Sequence, residues 1–428
     1  MGTMQPGEPL LIVSHTFPPY RGIGGRRWAK FAKALARRGH PVHVIHSDGP
    51  KELKGSLWSE DVRTPGIVTH PLPQRYPTVL FKRPLKSLGE KLAYRLWGRV
   101  MPLLVKGNWL DKAVLWEGPF LKKAEELIRT HGIRHVVITG APFRLLHFGL
   151  KLKQRCPGIV LTGDLRDPWT WGHVYGHGTL GAEREAHERA MEAAVMQGYD
   201  HITCPAPAML DHLRRTYGGD PTRFVLLPHA IDPDDLGTPA PPLRDGRLRI
   251  IYAGSLYGAQ EAEAYFKALL KGLTNARERD PEAFHRCQLD LYITGHGVDR
   301  YTGMVKAAGL EGTIHFHAPL PARQLFPLVR QADLVLIFIP SGNRDLLGTK
   351  FNEIFFLRKP VLHVGVPGLV SHTITAKRLG ASITVEDLPS ELPRIIAGEH
   401  RISVEASADL GEIELDRITD RLLREVLV

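Results

Sequence analysis

The second half of the sequence repeats one pattern, in which a short strand-like run ends at glycine or proline and a helical segment follows. Runs of this kind occupy residues 248–253, 289–294, 313–317, 332–340 and 359–364. Strands that alternate with helices along a chain pair in parallel, and the helices between them cover both faces of the sheet. The pattern therefore predicts an α/β fold.

The first half of the sequence opens with the same kind of unit. Residues 10–13 form an apolar run, and a loop with Gly24 and Gly25 precedes a helical segment that begins at Arg26. Glycine lets the backbone approach a ligand closely. The G-x-G-x-x-G spacing of a dinucleotide site is absent directly after the run, so the dinucleotide fingerprint is weak. We interpret the loop as a ligand loop in preference to an ordinary surface turn.

The length of the chain predicts two domains. A single core rarely serves 428 residues. The clearest linker is 237–246, which is rich in proline and glycine and has no hydrophobic period. We therefore expect a first domain at 1–236, a second domain at 247–405 and a C-terminal helix within 406–428.

Composition limits the compartment and the partners. No apolar run reaches the ~20 residues of a membrane span, and the N-terminus lacks a signal-peptide pattern. Three widely spaced cysteines indicate reduced thiols, so we expect a cytoplasmic protein. The net charge of +11 is compatible with nucleic acid, a membrane surface or an anionic substrate. Nucleic acid is not expected, because no zinc module or basic reading helix is present.

Residues 82–106 carry seven basic side chains and one acidic side chain, Glu90, with leucines at helical spacing. A basic amphipathic helix of this kind can lie on an anionic membrane, at the inner face as a peripheral contact. The same stripe of leucines can instead pack on the sheet while the basic side chains are solvated. Both interpretations are open at the level of sequence.

The segment 349–364 reads as a short helix between two strands. Thr349 can cap the helix, whose first turns carry Lys350 and Glu353. A helix N-terminus at the carboxyl end of a parallel strand attracts anions, and a lysine there adds charge suited to phosphate. A carboxylate fits neutral hydroxyls better than phosphate, so Glu353 is a candidate for the hydroxyls of a ribose.

This segment resembles the nucleotide-sugar site of the retaining GT-B glycosyltransferases of family 4. That family carries two acidic residues with seven residues between them, and Asp345 and Glu353 have this spacing, with aspartate in the first place. The glycine loop near Gly24 and the D-x-R-D-x-W segment that begins at Asp164 also resemble the first domain of these enzymes. The resemblance implies two Rossmann-like domains that face each other across a cleft, with the C-terminal helix within 406–428 packed back on the first domain.

The resemblance implies transfer of a sugar, with retention, from a nucleotide-diphosphate sugar to a hydroxyl of a glycan, glycolipid or lipid-linked sugar. It assigns the ribose to Glu353 and the donor sugar to Asp345. The implied catalytic residues are Asp167, Asp345, Lys350 and Glu353. Donor-site candidates are Gly24, Gly25, Gly254, Ser255, Gly295, His296, His317, Thr349, Lys350 and Glu353. Acceptor-side candidates are His15, Arg166 and Asp167.

Two further expectations concern ions. Relatives commonly carry an arginine and a lysine after the first strand of the second domain, whereas this sequence reads GSLYGAQEAEAYFK there. The diphosphate charge would then be met by Lys350 and by backbone N–H groups, with Arg26, Arg166 and Arg344 as further candidates. No metal and no cofactor are expected, because the 21 histidines include no complete ligand set.

Two other functions fit the same features. A nucleotide-sugar epimerase of this fold would share the donor site and need no acceptor groove. A non-catalytic sugar-nucleotide-binding protein would keep Glu353, and the missing arginine–lysine pair favours it.

Overall fold

The computed structural model describes residues 4–49, 54–82, 84–171, 180–238, 243, 245–256, 259–294, 298–344, 349–405 and 411–428, with backbone alone at 259, 349 and 350. These residues form two units. The first comprises Met1–Pro228 together with Leu415–Val428, and the second comprises His229–Glu414. The predicted linker at 237–246 lies in the range of the second unit, and residues 239–242 and 244 of it are outside the described residues.

The first unit is a seven-stranded parallel sheet with helices between the strands. The strands are β1 (Leu10–Val13), β2 (Val42–Asp48), β3 (Ile67–Pro73), β4 (His135–Gly140), β5 (Val160–Leu165), β6 (His201–Cys204) and β7 (Phe224–Leu226). The helices are α1 (Arg26–Arg37), α2 (Leu88–Leu104), α3 (Glu117–His131), α4 (Arg144–Arg155), α5 (Ala182–Gly198) and α6 (Pro207–Tyr217). The strand order is β3-β2-β1-β4-β5-β6-β7.

The second unit repeats this plan with six parallel strands. The strands are β8 (Leu248–Ser255), β9 (Cys287–Thr294), β10 (Ile314–Phe316), β11 (Leu334–Ile339), β12 (Val361–Gly365) and β13 (Gly380–Ile383). The helices are α7 (Ala259–Arg279), α8 (Pro281–His285), α9 (Val298–Ala307), α10 (Ala322–Gln331), α11 (Thr349–Phe356), α12 (Leu369–Ala376) and α13 (Leu388–Ile396). The strand order is β10-β9-β8-β11-β12-β13.

The predicted α/β fold with two Rossmann-like units is confirmed by these sheets. In each sheet the chain builds outward from the first strand and then returns to its other side, so that β1 pairs with β4 and β8 pairs with β11. Loops leave these two strands in opposite directions, and the gap between them is where open α/β sheets bind ligands, at the carboxyl ends of the strands. Each unit therefore has one expected ligand edge.

The last helix, α14 (Leu415–Glu425), completes the first unit. Its residues Leu415, Ile418 and Leu422 are buried. Arg38, which follows α1, bonds Asp416 at 2.9 Å and Asp420 at 2.8 Å on the outer side of α14. Apolar burial and surface ion pairs thus both attach the C-terminus to the first sheet.

Two edge strands, β3 and β13, are absent from the predicted set. Four residues of β3 are exposed, and the strand contains Pro71 and Pro73, which is typical of an edge position. Residues of β13 are likewise half-exposed or exposed. Neither segment has the continuous apolar pattern by which the buried strands are recognised.

Within the described ranges, every helix falls short of the length and apolar content that a membrane-spanning helix requires.

Candidate functional site

The carboxylate of Asp164 lies at the centre of the first unit, and its side chain is fully buried in β5. It accepts hydrogen bonds from Arg27 at 3.0 Å and from the Trp28 indole at 2.7 Å. The hydroxyls of Thr139 on β4 and Thr203 on β6 donate at 3.0 and 2.7 Å. Asp164 therefore joins α1 to three neighbouring strands and is a structural residue.

Arg27 extends this network to the end of the first unit. Its guanidinium also donates to the carbonyl oxygens of Leu227 at 2.7 Å and Pro228 at 3.0 Å. Burial by itself raises the pKa of Asp164, but the charge and hydrogen bonds of Arg27 outweigh it and hold that pKa below its usual range. The buried charge is thus fully compensated.

Arg166 and Asp167 follow β5 directly and lie at the ligand edge. The guanidinium of Arg166 donates to the carbonyl of Ala141, which follows β4, and its Nε is 3.5 Å from the Asp167 carboxylate. The Asp167 side chain is 33% exposed, whereas Asp164 is buried, so only Asp167 of the two can meet a ligand. A methyl group at Gly24 would overlap the Arg166 guanidinium. The glycine loop and the arginine are therefore in contact.

His15 lies beside this group, just after β1. Its ring is buried at 5.1 Å from the ring of Trp116, and its Nε2 has no hydrogen-bond partner among the described residues. Burial, together with the positive charges of Lys112 and Arg166, lowers the pKa of His15 to about 3. The imidazole is therefore neutral at pH 7, and the edge between β1 and β4 is electropositive.

Two buried glutamates of α5 hold the segment that follows Asp167. Glu188 accepts from the Trp169 indole at 2.8 Å and pairs with Arg144 at 3.2 Å, and Glu192 accepts from the Thr170 hydroxyl. The Trp169 ring stacks on Phe143 with 5.2 Å between ring centres. These contacts fix the direction in which Arg166 and Asp167 leave the sheet.

The ligand edge of the second unit is formed by the ends of β8, β9 and β11. The Ser255 hydroxyl is 2.6 Å from that of Thr294, so two hydroxyls lie together where β8 and β9 end. Gly254 has φ of 145°, a conformation that side chains rarely adopt. Ser341, after β11, donates from its N–H and its hydroxyl to Glu261 of α7, both at 2.8 Å. The first turn of α7 thus presents a carboxylate at this edge.

Helix α11 begins at Thr349 at this edge, as the sequence predicts. Glu353 is 8% exposed, and its neighbour Asn352 donates to the carbonyl of His229 at 2.9 Å. The side chains of Thr349 and Lys350 are outside the described set, as are Asp345, Gly295 and His296 altogether. The structure therefore places Gly254 and Ser255 at the end of β8 and Glu353 in α11, while Gly24 and Gly25 lie in the first unit. Asp345, Gly295, His296 and the side chains of Thr349 and Lys350 stay predictions.

His317 lies after β10, at the side of the second sheet. Its Nε2 is 2.7 Å from the Asp290 carboxylate, and its ring stacks on Tyr292 with 4.7 Å between centres. Asp290 also accepts from Gln288 at 3.0 Å. These contacts are with β9, two strands away from β11, and they give His317 a structural environment.

Three contributors to these edges were not predicted. Lys112 comes from an irregular segment before α3 and has no motif around it. Glu261 stands in a run of alternating glutamate and alanine that reads as an ordinary helix start. Asn352 lies next to Glu353, but its acceptor is a backbone carbonyl more than 100 residues away in sequence, so no local pattern could reveal it.

Comparison with known proteins bears on the first unit directly. Residues 24–235 match the family model described as Glycosyltransferase Family 4. The matched range includes the glycine loop, Lys112, Arg166 and Asp167, so the electropositive edge lies within the residues that resemble this family. The chain has no significant match among curated protein sequences.

Solved structures share the architecture of the whole chain. A glycosyltransferase from Rickettsia africae matches with 12% identity and a TM-score of 0.58, over 98% of this chain and 94% of that one. HepE from Anabaena, in complex with UDP, matches with 12% identity and a TM-score of 0.60, over 97% and 98% of the two chains. UDP-GlcNAc 2-epimerase from Methanocaldococcus jannaschii matches with 13% identity and a TM-score of 0.57, over 97% and 98%. At these identities the likeness concerns the fold, which is GT-B.

Proposed function

We propose that this protein is a glycosyltransferase that moves a sugar from a nucleoside-diphosphate sugar to an acceptor hydroxyl with retention of the anomeric configuration. The observation that carries the proposal is the buried Glu353 on α11, the helix that follows β11, in a chain whose residues 24–235 match the family 4 model. HepE, which has the same fold, is solved in complex with UDP.

In this proposal the second unit binds the donor. The Glu353 carboxylate accepts hydrogen bonds from the ribose hydroxyls, for which a carboxylate is a strong acceptor. The hydroxyls of Ser255 and Thr294, 2.6 Å apart, and the backbone at Gly254 offer hydrogen bonds to the diphosphate. Lys350, in the first turn of α11, supplies the positive charge, and Asp345 meets the sugar.

The first unit binds the acceptor in this proposal. Asp167 is the exposed carboxylate of the edge and accepts a hydrogen bond from the acceptor hydroxyl, while Arg166 orients it from 3.5 Å. His15 is neutral at pH 7, because its pKa is about 3, and it therefore serves as a hydrogen-bonding group and not as the general base.

In the chemical step the protein acts mainly by stabilising the negative charge that develops on the leaving diphosphate. A protein nucleophile is not part of the proposal. The bond between the anomeric carbon and the diphosphate oxygen breaks, the acceptor oxygen forms the new bond to that carbon, and the acceptor proton passes to an oxygen of the departing diphosphate. Negative charge grows on the diphosphate, and preorganised N–H groups and cations stabilise it most strongly in the absence of water. No side chain is assigned as a nucleophile.

Donor binding is tested by thermal unfolding against nucleoside diphosphates and their sugars, for the wild type, Glu353→Ala and Glu353→Gln. A ligand at 100 times its dissociation constant stabilises by about 2.7 kcal/mol. We expect one base to stabilise the wild type and both variants to lose most of the response. Glu278→Ala, an exposed glutamate of α7, is the matched control and should respond as the wild type does. A wild type that responds to no compound contradicts the proposal.

Transfer is tested separately from binding, because an epimerase would bind the same donor. The epimerase from M. jannaschii matches over 97% of this chain, so this alternative is measured directly. Labelled donor is incubated with and without acceptor sugars, and the products are examined by NMR. Transfer with an unchanged anomer supports the proposal, whereas isomerised sugar formed without acceptor identifies an epimerase.

A further inference from the structure

Helix α2 presents a face of leucines to solvent. Leu88, Leu92, Leu96 and Leu103 are between 60% and 86% exposed. We call these four residues the leucine face. An α-helix turns about 100° per residue, so these positions fall within one side of the helix. Isolated exposed leucines are ordinary, but a row of four on one helix marks a binding surface.

The opposite side of α2 is packed on the first unit. Met101 is buried with Tyr76, Leu80 and Val105, and Tyr94 and Trp97 lie against this cluster. The helix begins in a capping box made by Ser87 and Glu90. Arg184 of α5 donates to the carbonyl oxygens of Val105 at 2.6 Å and Gly107 at 2.8 Å, just beyond the helix. Both ends of α2 are thus held, and the leucine face is a stable feature of the fold.

Basic side chains border the leucine face. Lys91, Arg95 and Arg99 lie on the same side of α2, and all three are exposed. Lys82, Lys86 and Lys106 add three exposed charges beside the two ends of the helix. Glu90, the acidic residue of the helix, pairs with Lys82 and accepts backbone N–H groups at the helix start. The surface combines apolar side chains with positive charge.

We propose that the leucine face docks the protein on an anionic phospholipid membrane, with α2 parallel to the surface. Leucines enter the boundary between headgroups and acyl chains, and the flanking lysines and arginines meet lipid phosphates. A second copy of this chain fits the surface less well, because it would set like charges against one another. A packed position of the leucines on the sheet, the other interpretation of the sequence, is excluded by their exposure.

The docking surface adjoins the electropositive edge of the first unit. Phe81, which is 42% exposed, precedes α2, and the Lys112 ammonium lies 4.5 Å from the centre of its ring. Partial burial and the charge of Arg166 lower the pKa of Lys112, so these two cations lie in the same electrostatic neighbourhood. If the proposed function holds, an acceptor carried on a lipid would reach Arg166 and Asp167 from the membrane side.

Docking is tested by sedimentation of the full-length protein with vesicles. One set contains equal parts phosphatidylglycerol and phosphatidylcholine, and the other contains phosphatidylcholine alone. We expect binding to the first set that weakens with added salt, since the Debye length falls to about 3 Å at 1 M, and weak binding to the second. The assay needs no sugar nucleotide, so its failure leaves the proposed function standing, and failure of transfer leaves docking standing.

Variants of α2 separate the apolar from the ionic contribution to vesicle binding. Leu92→Ser with Leu96→Ser should weaken binding at least about tenfold, and Arg95→Gln with Arg99→Gln should weaken it about thirtyfold on anionic vesicles only. Leu57→Ser, at a residue that is 58% exposed between β2 and β3, is the apolar control. Arg215→Gln with Lys271→Gln, two exposed sites on other helices, is the charge control.

The outcome that overturns docking is a wild type that leaves both vesicle sets unbound, or leucine and arginine variants that bind as the controls do. Self-association that is abolished by the leucine variants while vesicle binding persists would assign the face to a second copy instead. Unfolding temperatures verify that the variants are folded. Leu103→Ser, at the most exposed leucine, provides an independent single variant.

Discussion

The guanidinium of Arg27 and the carboxylate of Asp164 form a buried ion pair at 3.0 Å, between residues 137 positions apart in sequence. The pair joins α1, which follows the glycine loop, to β5, which leads into Arg166 and Asp167. The strand therefore carries a structural carboxylate, and three residues later, just beyond its end, lies the half-exposed carboxylate of the candidate site. Stability and ligand binding are assigned to different residues of one short motif.

Asp164→Asn should destabilise the fold by about 3–5 kcal/mol, because it leaves the charge of Arg27 buried and uncompensated. The measurement is equilibrium unfolding in urea. Asp211→Asn, which changes an exposed aspartate of α6, is the control and should shift stability by less than about 0.5 kcal/mol. An unfolding midpoint shared by the two variants would show that the ion pair contributes little.

The contribution of the Arg27–Asp164 pair to folding stability depends on pH. The pKa of Asp164 is lowered in the folded state, so its contribution to stability is complete above the unfolded pKa of about 3.9. It is lost as the pH falls through the lower, folded pKa. Wild-type stability should therefore decline in that acid range, and the decline should be smaller in Asp164→Asn. An equal loss of stability at acid pH in the wild type and in Asp164→Asn would contradict this assignment.

His15 should make stability depend on pH in a higher range. Burial and nearby cations lower its pKa to about 3, whereas the unfolded ring titrates near 6.5. The unfolded state thus binds more protons between these values, so stability is complete above about pH 6.5 and falls as the pH falls. Between pH 7 and pH 5 the loss from this residue is about 2 kcal/mol.

His15→Gln isolates this contribution, since the half-buried His70 and the buried His363 also have pKa values lowered to about 4. The variant should lose about 2 kcal/mol less than the wild type between pH 7 and pH 5. Urea unfolding at the two pH values measures the difference. An equal loss in both proteins would mean that the His15 ring titrates near its ordinary value.

Substitutions in the glycine loop should separate activity from stability. An added methyl at Gly24 meets the flexible end of Arg166, whereas one at Gly25 lies 2.8 Å from the carbonyl oxygen of Thr16. Gly24→Ala should therefore displace Arg166 and reduce transfer about tenfold or more with little change in stability. Gly25→Ala should destabilise by about 1–3 kcal/mol, because backbone cannot move aside as easily.

Gly118→Ala is the control for this pair, because an added methyl there meets nothing within 4 Å. It should leave both transfer and stability close to those of the wild type. Transfer and urea unfolding are measured on the same preparations. Full activity in Gly24→Ala would show that Arg166 has no part in transfer.

The order of strands and helices could be predicted from sequence because buried parallel strands are short, apolar and bounded by glycine or proline. β1 begins and ends where the sequence places it. The edge strand β3 was not predicted, since residues exposed on one side have no such pattern. The periodicity of α2 predicts an amphipathic helix, but only the packing of Trp97 and Met101 reveals that its leucines face outward.

The candidate site was predictable only where a motif is local. Glu353 and the Arg166–Asp167 pair stand in recognisable segments. The structure places Glu353 in α11 and the pair directly after β5, and their roles stay predictions. The residues that act on them come from distant parts of the chain. Lys112, for example, is close enough to Arg166 for the two positive charges to interact. Asp164 is the buried carboxylate of the D-x-R-D segment because Arg27 pairs with it. Arg27 lies outside that segment, so the motif alone could not show which of its two carboxylates is buried.

The pKa of Glu192 is shifted upward, whereas those of Asp164 and His15 are shifted downward, so the stability of the protein should depend on Glu192 in the opposite sense. Its side chain is buried on α5, and burial raises its pKa even though Thr170 and Tyr217 donate hydrogen bonds to it. A buried acid with a raised pKa favours folding less as the pH rises through that pKa, because the ionised form is preferred in the unfolded chain. Glu192→Gln keeps the hydrogen-bonding shape without the charge. It should stabilise the protein at pH 7 by about 1 kcal/mol.

The gain from Glu192→Gln should shrink as the pH falls below the unfolded glutamate pKa of about 4.3, where the wild-type side chain is protonated in both states. Urea unfolding at pH 7 and pH 4 measures the change, and Glu183→Gln, an exposed site on the same helix, should show no such pH-dependent gain. A loss of stability at pH 7 would instead mean that the Thr170 and Tyr217 hydroxyls require a charged acceptor. In that case the carboxylate of Glu192, like that of Asp164, is ionised in the folded protein and stabilises the segment that carries Asp167.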